Sequence, residues 1–178
     1  INSFNKLKVL VVGETIIDEY TYCEALGKSG KEPVLVLREL FTEKYLGGAA
    51  SIAKNLSGFC KKVSLLSFLG EKREHEKFIS KNLQKNIYTN FISKKNSCTI
   101  VKKRFVDNIN KTKVLGLHSL NDQPLDLKQK RQFNKLLAKY INNHDVVIVS
   151  DYGHGLISKE SVKLILKKSK FLAVNAQL

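Results

Sequence analysis

The run Lys8–Gly13, reading Lys-Val-Leu-Val-Val-Gly, constrains this chain more than any other feature. An apolar, β-branched run without polar alternation suits a strand buried on both faces, and such strands belong to parallel sheets covered by helices. Residues 63–70 and 145–150 repeat the pattern, and 171–174 predict a further strand. Helical patterns stand between them. Residues 48–59 are rich in alanine and leucine, 73–85 carry Phe78, Ile79 and Leu83, and Phe133, Leu136, Leu137, Tyr140 and Ile141 share one helical face. Ser158 predicts the N-cap of a last helix reaching Lys168. Strands and helices alternating at these lengths argue for βαβ units around a mainly parallel sheet in an α/β fold.

Two segments break the rhythm. The polar, turn-rich stretch 27–31 leads into Pro33-Val34-Leu35-Val36-Leu37-Arg38 without room for a helix. Residues 99–106 and 113–118 are strand-like and joined by Asp107-Asn108-Ile109-Asn110, a composition that predicts an antiparallel hairpin. The strand period of two puts Lys102 and Arg104 on one face, with Val101, Lys103 and Phe105 on the other. The expectation is a small β-sheet flap projecting from the main sheet, in which the hairpin pairs with residues 34–38. Neither a repeat nor a linker divides the chain, so one domain is expected.

Charge and composition exclude several classes. The net charge of +15 raises nucleic-acid binding, since dense positive charge displaces phosphate counterions. Yet arginine, the residue suited to bidentate recognition, occurs only at Arg38, Arg73, Arg104 and Arg131, whereas lysines are scattered along the whole chain. No nucleic-acid partner is expected. No apolar run approaches the roughly 18 residues of a membrane span, so no membrane partner is expected either. The three cysteines, Cys23, Cys60 and Cys98, lack paired C-x-x-C spacing and read as free thiols of a cytoplasmic protein. A chain that begins with Ile and contains no Met reads as a fragment.

The P-loop, dinucleotide-binding, zincin and G-x-S-x-G hydrolase motifs are missing. Polar signatures stand instead at predicted strand ends, where open α/β sheets bind ligands. In Gly13-Glu14-Thr15-Ile16-Ile17-Asp18, Asp18 is either a turn residue or an acceptor for vicinal hydroxyls. In Gly47-Gly48-Ala49-Ala50-Ser51, the paired glycines allow either close approach of a ligand to the first helical turn or close helix-to-sheet packing. Ser150-Asp151-Tyr152-Gly153-His154-Gly155 is either a binding loop or a strand-to-helix turn.

Together these signatures resemble the ribokinase-like, or PfkB-type, carbohydrate kinases, most closely the kinase domain of heptose 7-phosphate kinases. The resemblance runs from Val9 to about Gln177. It implies a three-layer α/β/α, Rossmann-like domain with a β-sheet lid, formed by segments 19–40 and 97–118, through which a homodimer forms. It implies transfer of the γ-phosphate of ATP, with Mg²⁺, to a hydroxyl of a sugar or sugar phosphate. Residue by residue, Asp18 would hold sugar hydroxyls, Gly47 and Gly48 would floor the site, and Ser51 and Asn55 would add polar contacts. Thr99, Lys102 and Arg104 match a T-x-x-K-x-R strand that binds the sugar phosphate in the heptose phosphate kinases, although a solvated lysine-rich strand reads equally from alternation. Asp151 and Tyr152 match a D-Y-x-K-G loop near the phosphate-transfer region.

The departures are specific. Ser51 stands in place of an asparagine, His154 in place of the loop lysine, and Asn175-Ala176-Gln177 in place of an Asp-Pro-Lys turn. The G-A-G-D segment, which carries the catalytic aspartate and an anion-binding helix start, is not in this sequence. Residues 1–178 are therefore expected to be the N-terminal part of the kinase, without the ATP-binding part. The alternative expectation is a non-catalytic sugar-phosphate-binding or interaction domain of the same fold.

Overall fold

The computed structural model describes residues 4–177. Strand β1 (Lys8–Gly13) lies at the centre, with Val9, Leu10, Val11 and Val12 almost wholly removed from solvent. Their alternation sorts them into two cores. Leu10 and Val12 pack with Phe133 and Leu137 of α3 (Leu127–Ile141) and Ile165 of α4 (Lys159–Lys168). Val9 and Val11 pack with Ala49, Ala50 and Ala53 of α1 (Gly48–Leu56) and Ile79 of α2 (Glu76–Asn82). Helices thus cover both faces of a five-stranded parallel sheet. Its order is β5-β4-β1-β8-β9, with β4 at Lys62–Gly70, β5 at Ile87–Lys94, β8 at Val146–Asp151 and β9 at Leu172–Ala176. The strands read as doubly buried are central, and the three-layer α/β/α expectation holds.

Helix α3 begins at a capping box between Asp126 and Gln129, and α4 at one between Ser158 and Ser161, as the Ser158 N-cap reading anticipates. Helix α2 is shorter than the expected 73–85. Arg73 and His75 adopt left-handed backbone conformations before it, and Leu83 is extended after it. Strand β5 has no counterpart among the expected strands. It is an edge strand whose burial follows no regular period, so the alternation that marks a half-buried strand is missing. No described helix is long and apolar enough to cross a membrane.

The second sheet is larger than the expected flap. Strands β2 (Thr15–Lys28), β3 (Leu35–Gly47), β6 (Ile100–Asp107) and β7 (Lys113–Ser119) form it in the order β3-β2-β6-β7. The hairpin forms as expected, its turn closed by the Asn110 amide donating to Asp107 Oδ2 at 2.7 Å. Its pairing differs. Strand β6 runs parallel to β2, from Ile16 opposite Ile100 to Cys23 opposite Asp107, and β2 separates the hairpin from residues 34–38. The reason lies in residues 15–24. Ile17, Glu19, Thr21 and Cys23 are buried while Asp18, Tyr20 and Tyr22 are half-buried, a strand periodicity that continues directly from β1 and claims the central place.

Candidate functional site

The two sheets meet where β1 ends. After Gly13, Glu14 is fully buried, and its carboxylate accepts hydrogen bonds from the Tyr152 amide at 2.9 Å and the Leu156 amide at 3.4 Å. It thereby ties the loop after β8 to the start of the second sheet. Burial pushes its pKa up, with Asp151 adding to the rise, while the backbone donors pull it down, and the net shift is upward.

Asp18 lies four residues further along, on the half-buried face of β2. Its Oδ1 accepts from Arg104 Nη1 at 2.6 Å, both side chains being about a quarter exposed. Its Oδ2 lies against Gly47, where an added Cβ would fall 2.2 Å from it. Gly48 has φ +55°, and a Cβ there would meet the Glu14 carbonyl at 2.3 Å. Packing against backbone thus requires glycine at position 48, whereas at Gly47 the obstacle is the Asp18 side chain. The same packing brings the start of α1 beside the Asp18 carboxylate.

Lys102 and Arg104 face the same way as Asp18. Lys102 is the register partner of Asp18, and its Nζ lies 5.5 Å from the centre of the Tyr152 ring. Arg104 stands 5.2 Å from the Tyr20 ring. On the opposite face Lys103 pairs with Glu19 at 3.0 Å, and Lys44 pairs with the same carboxylate at 3.0 Å. Burial raises the pKa of Glu19, but the two ammonium groups outweigh it and hold the carboxyl below its ordinary value. The alternation read from sequence therefore separates a site-facing pair of cations from one spent in a local ion-pair cluster. Thr99 does not join them. It is buried, donates to the Glu74 carbonyl at 2.9 Å and accepts from the Gly70 amide at 3.0 Å, fixing the entry to β6.

The remaining expected residues are less tightly drawn in. Ser51 is half-buried one turn along α1 from Gly48, and Asn55 is exposed a turn further on. Neither side chain makes a hydrogen bond among the described residues. Asp151 Oδ1 accepts from the Gly153 amide at 3.0 Å, which makes it a turn-former at the end of β8, while Tyr152 is held over Lys102.

Two groups escaped the sequence reading. Glu14 lies in the Gly13–Asp18 signature, but no local pattern distinguishes it there, since its partners Tyr152 and Leu156 are distant in the chain. Lys94, at the end of β5, is 2% exposed and donates from Nζ to the His154 carbonyl at 2.9 Å and the Asn121 carbonyl at 2.5 Å. Its pKa is lowered by burial, against the opposing pull of Asp122 and Glu14. Since β5 itself was missed, nothing flagged Lys94. His154, where a lysine was expected, is clamped from both sides, because its Nδ1 also meets Asp122 Oδ1 at 2.7 Å. Among the described residues no group of three or more His, Cys, Asp or Glu side chains is placed to hold a metal ion.

The sequence and the fold both have counterparts among known proteins. Residues 6–175 match the model of the pfkB family carbohydrate kinases. The bifunctional protein HldE of Campylobacter jejuni subsp. doylei is 31% identical over 175 residues, 97% of this chain and 35% of the relative. HldE of Helicobacter pylori is 31% identical over 160 residues, 89% of this chain and 34% of the relative. The chain therefore spans about a third of the length of the curated relatives it matches. Among solved structures, Escherichia coli phosphofructokinase-2 in complex with fructose-6-phosphate superposes with a TM-score of 0.67 at 14% identity, covering 97% of this chain and 55% of that one. Because the matched span crosses both sheets and all four helices rather than a single motif, the chain belongs to the pfkB family of carbohydrate kinases.

Proposed function

We propose that this chain forms the sugar-binding part of a kinase that transfers the γ-phosphate of ATP to a hydroxyl of a sugar phosphate of the heptose phosphate type. The observation that carries the reading is the placement of Asp18 beside Lys102 and Arg104, with Tyr152 opposite. A carboxylate has about four acceptor positions, and Arg104 takes one, so Asp18 retains capacity for hydroxyl donors. The cations beside it supply what a phosphate monoester requires, and an aromatic ring offers an apolar wall. Similarity to the HldE proteins supports the phosphorylated sugar.

In this reading Asp18, Gly47, Gly48, Ser51 and Asn55 surround the sugar, Lys102 and Arg104 hold its phosphate, and Asp151 with Tyr152 borders the transfer region. ATP, Mg²⁺ and the aspartate that takes the hydroxyl proton are assigned to sequence that continues this chain, in a G-A-G-D segment. A second copy of the protein covers the outer face of the lid.

The test is a kinase assay on the complete gene product with ATP, Mg²⁺ and a heptose 7-phosphate. Asp18→Asn should weaken apparent sugar affinity about 10- to 100-fold, as loss of charge-assisted hydrogen bonds implies. Unchanged KM and turnover in that variant would overturn the assignment. Binding of the sugar phosphate without turnover in the wild-type protein would favour the non-catalytic reading.

A further inference from the structure

The lid carries a third basic group on the site-facing side, which neither the sequence motif nor the reading above uses. In the antiparallel β6–β7 pair, His118 stands directly opposite Lys102 and Gly116 directly opposite Arg104. Directly opposed residues project from the same sheet face. Asp18, Lys102 and His118 therefore form one row across three strands, and Tyr20, Arg104 and Gly116 form the next.

Gly116 leaves the second row without a side chain on β7. The gap is a cleft of about 220 Å³ whose polar lining is Arg104, Lys113 and His118. His118 leans over it, with Nε2 3.7 Å from the position a Cβ on Gly116 would take. Arg104 makes both of its hydrogen bonds through Nη1, to Asp18 Oδ1 and to the Lys102 carbonyl. Its other N–H groups have no partner among the described residues, and neither does either ring nitrogen of His118. The charged side chains lining the cleft are cationic, and Asp18, the acid nearest to Arg104, is already paired with it.

We propose that Arg104, Gly116 and His118 form an anion subsite for the phosphate-bearing end of the sugar, with His118 a specificity-determining residue. The inference rests on the sugar-phosphate reading above and refines it. A phosphate monoester has several acceptor oxygens at tetrahedral angles, suited to a guanidinium on one side, an imidazole N–H on another and a lysine at the rim. The row from Asp18 to His118 crosses two interstrand spacings, about 10 Å in all. That separation lets hydroxyls reach Asp18 while a phosphate on an extended side arm occupies the cleft. An unphosphorylated sugar leaves the cleft to water and gains nothing from His118.

The experiment uses the complete gene product and calorimetric titration with a heptose 7-phosphate, the corresponding free heptose and inorganic phosphate. His118→Ala should weaken binding of the phosphorylated sugar about tenfold, the effect of one hydrogen bond to a charged group, and leave the free heptose within about twofold. Gly116→Val fills the cleft while keeping every charge, and should reproduce that selective loss. His118→Gln, which keeps an N–H donor, should recover part of the affinity. If the wild type binds heptose 7-phosphate and both His118→Ala and Gly116→Val bind it equally well, the subsite is wrong while the sugar-phosphate reading stands. Equal loss for phosphorylated and free heptose also overturns the subsite, because the effect is then not on the anion. If the wild type binds none of the phosphorylated ligands, the parent reading fails and the subsite with it.

Discussion

At the scale of single residues, the glycine pair separates binding from stability. Gly47 and Gly48 are adjacent, yet an added methyl group meets different neighbours. At Gly47 it strikes the Asp18 carboxylate, a side chain that can swing aside. At Gly48 it strikes the Glu14 carbonyl, which is backbone, in a left-handed conformation that L side chains rarely adopt. Gly48→Ala should therefore lower unfolding stability by about 1–3 kcal/mol, measured by denaturant titration. Gly47→Ala should cost less stability and weaken sugar-phosphate binding by displacing Asp18 from Arg104. Equal stability losses with no difference in ligand affinity would contradict this division. Glycine pairing was visible in the sequence; which neighbour each glycine serves was not, because Asp18 and Glu14 approach only once β2 folds back along β3.

At the scale of elements, His144 couples α3 to the sheet and makes that coupling sensitive to pH. It follows the C-terminal end of α3, where its Nδ1 bonds the Tyr140 carbonyl at 2.6 Å and its Nε2 bonds Ser64 Oγ on β4 at 2.9 Å. Burial lowers its pKa below the ordinary histidine value, with Lys62 and Lys8 acting in the same direction and the Tyr140 carbonyl and Asp145 opposing. The unfolded chain therefore binds the proton more readily than the folded one. The contribution to stability is fully present above about pH 6.5 and is lost as pH falls from there through the lower folded value, by at most about 1.4 kcal/mol per pH unit for one proton. Glu14, whose pKa is raised, acts in the opposite sense above the ordinary carboxyl range. The informative measurement is thus the difference in chemical stability between wild type and His144→Gln from pH 7.5 to pH 5. The wild type should lose more stability than the variant, and parallel profiles would show that His144 does not titrate differently on folding. The helical face of α3 and the Ser158 cap of α4 were readable, while α1 ends at Leu56 rather than at 59 and the Asp126 start of α3 was not read. Strand β5 was not, since an edge strand needs no strict alternation.

At the scale of the whole molecule, the lid presents two unlike faces. Lys102, Arg104 and His118 occupy the site-facing side. Leu115 and Leu117, each 56% exposed, stand opposite Phe105 and Lys103 on the other side, along β7 at the edge of the sheet. Exposed apolar residues on an unpaired edge are readily covered by a like surface. The proposed homodimer should therefore form through this face, leaving the sugar site open. In sedimentation velocity on the complete gene product, Leu117→Lys should shift a dimer toward monomer with little loss of sugar-phosphate binding by each subunit. A dimer that survives this change would place the interface elsewhere.

The sequence by itself determined the α/β class, the three-layer arrangement through family resemblance, the central strands, and the face shared by Lys102 and Arg104. These are consequences of local periods, two residues in a strand and about 3.6 in a helix, which operate within one element. Only the tertiary structure decided that β6 pairs with β2 rather than with residues 34–38. It also decided that Arg104 engages Asp18 across 86 positions of chain, that Lys94 and Glu14 clamp the loop after β8, and that strand register sets His118 opposite Lys102. Such pairings depend on which apolar faces find one another when distant segments meet, and no local period carries that information.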